Sequence, residues 1–166
     1  MLLEIEFNAK IRIYKNTNNN FSLFQTLTPS DGSANTQAGA ITDDSQWVVF
    51  GTWNASGIVD VYKLEDQEYK INQTLLISNY VVEIALTQDH SFLVVGTRGN
   101  VHVYKHNGTQ FNPFQILNFS LSGHKFVSMT DDHQELTVTH WTSKLYRYQY
   151  NQASHKFELF LNNGTI

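Results

Sequence analysis

The 166-residue chain contains no cysteine, which excludes disulfides, thiolate zinc sites, iron–sulfur ligands and a cysteine nucleophile. It is also short of charge, with 16% charged residues and 11 basic against 15 acidic groups for a net charge of −4. That balance supplies no electrostatic footprint for nucleic acid or an anionic membrane surface, so neither is expected as a partner. No run of 18 apolar residues occurs, and Glu4 and Glu6 interrupt the first apolar stretch. Membrane insertion and a signal peptide are therefore not expected, and the default compartment is the cytoplasm. Also missing are a sustained 3.6-residue apolar period, a nucleophile elbow, a P-loop and a dinucleotide fingerprint. What is present is 41% apolar and 13% aromatic residues, enough for a folded core in one domain spanning 1–166.

The chain repeats itself. Ile11-Arg12-Ile13-Tyr14-Lys15, Val59-Asp60-Val61-Tyr62-Lys63 and Val101-His102-Val103-Tyr104-Lys105 are copies of one run, with Leu145-Tyr146-Arg147-Tyr148-Gln149 a looser fourth. Their tyrosines lie 48, 42 and 44 residues apart. Seven residues after each of the first three stands an aromatic, opening Phe21 to Leu27, Tyr69 to Leu75 and Phe111 to Leu117; the fourth, at Phe157, is displaced by two. Before the tyrosine, Ala40 to Thr52 matches Ala85 to Thr97, and Ser128 to Thr139 is a degenerate copy.

Each unit divides into four short β-type runs. Turns are marked by Asp43-Asp44, Gln88-Asp89 and Asp131-Asp132, and then by Gly57, Gly99 and Ser143. Trp47 to Phe50 and Phe92 to Val95 are continuously apolar, as in strands covered on both faces. The third runs alternate, so Asp60 and His102 are expected on a half-exposed face. Four antiparallel strands per 40 to 45 residues define an all-β β-propeller of four-stranded blades, at about 1–27, 38–75, 81–117 and 125–162.

These residues resemble the WD-repeat propellers in degenerate form, the closing Trp-Asp having become Tyr62-Lys63, Tyr104-Lys105 and Tyr148-Gln149. The resemblance covers residues 2 to about 162, and Gly123-His124 looks like that family's Gly-His element. The family's turn aspartate is replaced by Ser56-Gly57, Arg98-Gly99 and Thr142-Ser143, so its buried hydrogen-bond network does not carry over.

Leu2 to Phe7 fits the second strand of the first blade, which leaves that blade without its innermost strand. About four blades result, either a slightly incomplete ring or part of a larger one. Such an opening invites completion by another protein, a second copy or a missing segment, so the chain is not expected to act as an isolated monomer.

The seven histidines are read as surface and turn residues, since His102 and His106 lie at opposite ends of an extended stretch too long to share an ion. The paired aspartates lack the spacing of a calcium loop or a catalytic pair. No catalytic residue, metal or cofactor is expected. Six Asn-x-Ser/Thr sequons begin at Asn20, Asn54, Asn72, Asn107, Asn118 and Asn163 and hint at a secretory compartment instead. Trp53, Arg98 and Trp141 occupy one aligned turn and are of the types enriched at binding hot spots, so they are the candidate protein-binding residues. The expected function is a non-enzymatic scaffold for protein–protein interaction. The alternative is an enzyme or small-ligand-binding propeller with its site at the channel mouth.

Overall fold

The computed structural model describes residues 1–6, 10–32, 35–77, 79–163. Phe7 and the last two residues of the Asn163 sequon lie outside them. The fold is all-β, in four antiparallel sheets that follow one another along the chain as propeller-type blades. Blade 1 holds β1 (Leu2–Glu6), β2 (Lys10–Thr17) and β3 (Asn20–Leu27), and so has three strands where the others have four. Blade 2 holds β4 (Thr36–Ile41), β5 (Trp47–Thr52), β6 (Ile58–Glu65) and β7 (Glu68–Leu76). Blade 3 holds β8 (Val81–Leu86), β9 (Phe92–Thr97), β10 (Val101–His106) and β11 (Phe111–Leu117). Blade 4 holds β12 (Lys125–Met129), β13 (Glu135–His140), β14 (Lys144–Asn151) and β15 (Lys156–Asn163). The chain divides into two compact units, Met1–Val81 and Val82–Ile166.

The repeated tyrosine has a structural cause. In every blade the pairing of the last two strands shifts register immediately before it, between Ile13 and Tyr14, Val61 and Tyr62, Val103 and Tyr104, and Arg147 and Tyr148. A bulge of this kind adds local twist to the outer half of a sheet.

Inside each unit two blades pack face to face. In the first, Ile11, Ile13 and Leu27 of blade 1 meet Val48, Phe50, Tyr62 and Tyr69 of blade 2. In the second, Val94, Val101, Val103 and Leu117 of blade 3 meet Leu136, Val138, Tyr148 and Phe157 of blade 4. An aliphatic trailing face thus receives the aromatic leading face of the next blade. A glutamine fastens each seam: Gln25 Nε2 donates to Tyr69 O at 3.0 Å and its Oε1 accepts from Tyr69 N at 2.7 Å. Gln115 does the same with Phe157, at 3.0 and 2.8 Å. Trp47, Val49, Tyr62, Phe92, Val94 and Tyr104 are all buried, as their place in the repeat requires.

Asp60 corrects the expected half-exposed third strand. It is fully buried, and its carboxylate accepts from Ser30 N at 2.8 Å, Ser30 Oγ at 2.8 Å and Thr74 Oγ1 at 2.7 Å. The connection leaving blade 1 folds over this strand and satisfies the charge.

In the turns before the second strands, the second aspartate does the work. Thr42, Thr87 and Thr130 hydroxyls donate to Asp44, Asp89 and Asp132, whose Oδ1 atoms also accept from the main-chain N–H of Gln46, Ser91 and Gln134. Burial alone would raise the Asp89 pKa, but the Ser91 and Thr87 donors and nearby His133 outweigh it and bring it down to about 2. A carboxylate held below its unfolded value of 3.8 adds stability above that pH and gives it up as the pH falls toward 2. Asp89→Asn should therefore flatten the fall in melting temperature over that acid window. An unchanged acid limb would show that the turn does not carry it.

Candidate functional site

Two places in the second unit gather chemistry. The first is the edge formed by the turns after β9 and β13 and the connection 118–124. Main-chain bonds stitch it together: Gly123 N donates to Arg98 O at 2.7 Å, and Trp141 N donates to His124 O at 3.3 Å. Gly123 has φ +133°, and the indole of Trp141 and the ring of His140 occupy the space a side chain there would need. The glycine at 123 is thus required by the turn geometry. Lys125 is fully buried, its ammonium donating to Leu121 O at 3.0 Å and Gly123 O at 2.8 Å, with the Phe119 ring 5.2 Å away. It holds the connection in place and has a structural role.

Arg98 and Trp141, two of the three candidate binding residues, are brought to this one edge. Trp141 is 65% exposed and lies 6.2 Å from the His124 ring. His124 is kept below its usual pKa by burial first and then by its neighbours Arg98, His140 and Lys125, which favours the neutral imidazole. Trp53 stands at the equivalent turn of the first unit, half-buried, its ring 5.1 Å from the Tyr80 ring and its main-chain N–H donating to Asn35 O at 2.6 Å.

The second place is a cleft of about 340 Å³ along the seam of blades 3 and 4. Lys105, His133, Tyr150 and His155 converge on it above Phe92. His133 Nε2 lies 2.9 Å from Asp89 Oδ1, and the Lys105 ammonium lies 5.6 Å from the Phe92 ring centroid. Its volume is at the lower end of small-ligand sites, and its polar groups come from two blades. Sequence spacing does not reveal it, because its members are scattered from Ser91 to His155. Glu83 is equally hard to read from sequence: burial raises the pKa of this half-buried carboxyl, and its local signal is one acid in the apolar strand β8. Among the described residues no three His, Asp or Glu side chains form a metal-binding group.

No family model matches the sequence, and no curated protein does. Solved structures do. A proposed 6-phosphogluconolactonase from Bacteroides uniformis aligns with 98% of this chain at a TM-score of 0.72 and 9% identity, over 56% of its own length. The β-propeller domain of Cps50 (Swd1) from Myceliophteria thermophila aligns with 92% at a TM-score of 0.70 and 13% identity, over 52% of its length. Sqt1 from Saccharomyces cerevisiae aligns with 77% at 0.64 and 16% identity, over 35% of its length. The chain spans about half, or less, of each. These likenesses establish a propeller-type fold. They also correct the expectation that the chain is not an enzyme. The same frame, over almost all of this chain, is that of a proposed lactonase, so the missing sequence motifs do not exclude catalysis. Among the described residues no helix is long and apolar enough to cross a membrane.

Proposed function

We propose that the chain is the ligand-binding part of an enzyme or small-ligand-binding propeller, with a small anionic molecule held in the cleft between blades 3 and 4. The observation that carries this reading is the convergence of Lys105, His133 and His155 over the aromatic floor of Phe92 and Tyr150. The Lys105 ammonium and the His155 imidazole suit a phosphate or carboxylate, with His133 held in place by the Asp89 carboxylate, and the rings suit the apolar face of a sugar. The proposed lactonase among the structural neighbours makes a phosphorylated sugar acid the first ligand to try. Calorimetric titration with 6-phosphogluconate should give binding that Lys105→Ala weakens about tenfold, roughly 1.4 kcal/mol. Glucose, lacking the charges, should give none. Equal heats for both sugars, or no heat with either, would overturn the reading.

A second reading belongs to the loop edge. The 65% exposure of Trp141 beside Arg98, with Trp53 at the equivalent turn, favours a protein-docking surface on a degenerate WD-repeat module.

A further inference from the structure

The two seams within this chain show what a blade's leading face needs. In blade 2 that face is centred on Val48, Tyr62 and Tyr69, which are 0%, 8% and 2% exposed. In blade 4 the equivalents are Leu136, Tyr148 and Phe157, again 0%, 8% and 2% exposed. Strand pairing places Leu2, Tyr14 and Phe21 at the same three positions of blade 1, since Leu2 pairs with Tyr14 as Val48 does with Tyr62. Here Leu2 is 48% and Phe21 55% exposed, and they border a hollow of about 400 Å³ with Glu4 and Tyr14. Blade 1 therefore presents seam residues at its three outer positions, two of them about half exposed, around Glu4, which stands where Phe50 does in blade 2, accepts from the Tyr14 hydroxyl at 2.8 Å and lies 3.8 Å from Arg12.

The trailing face of blade 4 is the opposite case. Glu135, Thr139, Arg147 and Leu161 replace the Phe92, Gly96, Val103 and Gln115 of blade 3. The Glu135 carboxylate and the Arg147 guanidinium pair with each other there, Arg147 Nε donating to Glu135 Oε1 at 2.6 Å. Aliphatic pair, seam glutamine and close-approach glycine are all gone, and the Phe160 ring lies 5.2 Å over the Arg147 guanidinium instead. A second copy of this chain, joined head to tail, would set the Glu135–Arg147 pair, with the Phe160 ring over it, where the internal seams place an aliphatic pair and a glutamine.

We propose that the leading face of blade 1 is the docking site for one further propeller blade from outside these 166 residues. Its chemistry follows from the internal seams. The incoming blade presents two aliphatic residues at alternate positions of its third strand, to cover Leu2 and Tyr14. It also presents a glutamine on its fourth strand, to bind the main-chain N–H and C=O of Phe21 as Gln25 binds those of Tyr69. The solved neighbours aligned with nearly the whole chain are about twice its length, so the fold has room for such a blade.

The test rewrites blade 4 with blade 3 residues, by Glu135→Phe, Thr139→Gly, Arg147→Val and Leu161→Gln together. The rewritten chain should associate head to tail, seen as a concentration-dependent rise in sedimentation coefficient over the unaltered chain. Adding Phe21→Glu should abolish the rise. No rise, or a rise that survives Phe21→Glu, overturns the proposal. In the unaltered chain, Phe21→Glu should leave the melting temperature nearly where it is, because that residue is 55% exposed; a marked fall would overturn the proposal independently of the rewritten variant. Association of the unaltered chain that is lost on Arg147→Ala would make a second copy the occupant instead, and would also overturn it.

Discussion

Replacing Phe92 with alanine should cost about 3 to 5 kcal/mol in a chemical denaturation experiment, the range for removing a large aromatic from a packed core. The side chain is 5% exposed and stands where blades 3 and 4 meet. Phe114 and Phe157 approach it edge-on at 5.6 and 5.8 Å between centroids, and the Tyr150 ring lies at 6.3 Å. Those rings project from different strands, so no single neighbour can move into the space, and the cavity stays open. A third or more of an ordinary domain's stability would be lost. Because Phe92 also floors the cleft, affinity for 6-phosphogluconate should fall in the same variant. A loss of less than about 1 kcal/mol would show that the seam repacks and that Phe92 is not its centre.

Phe92 also shows what kind of information the sequence holds. Its burial is legible in the run Phe92 to Val95, because a strand covered on both faces is written in its own residues. The strand and turn boundaries are legible for the same reason: the Thr and Asp that build each turn are neighbours in the chain. The three-stranded first blade follows from counting those strands. Asp60 is different. Alternation puts it on one face of β6, but only the connection between blades, with Ser30 above it, decides that this face is covered. Gln25 and Gln115 repeat plainly in the sequence, yet their partner is the main chain of the next blade, which no local pattern encodes. The cleft is harder still, since Lys105, His133 and His155 converge only because two blades pack in one register. Trp53, Arg98 and Trp141 align in sequence, and the chain places them at aligned turns. Whether anything binds there is decided by chemistry outside those turns.

Gly96 joins the seam to the loop edge, and Gly96→Ala should destabilise the chain by about 3 kcal/mol, the upper part of the range for overpacking. A Cβ on Gly96 would meet the carbonyl oxygen of Lys125 far inside 3.0 Å, and Val127 Cγ1 at 3.2 Å. The nearer obstacle is main chain, so no rotamer change relieves it. β12 would have to withdraw from β9. It cannot do so freely, because Lys125 is fully buried and its ammonium is bound to the carbonyls of Leu121 and Gly123. Gly123 in turn donates to Arg98 O, so a displaced β12 pulls on the connection that holds His124 beside Trp141. The substitution should thus lower the denaturation midpoint and shift the amide resonances of Arg98, Gly123 and Trp141 together. Thr139 occupies the same position in blade 4 and is exposed, so Thr139→Gly should cost no more than the roughly 1 kcal/mol of a glycine in a strand. Equal costs at the two sites would mean that the close approach of β12 to β9 is not what selects glycine at position 96.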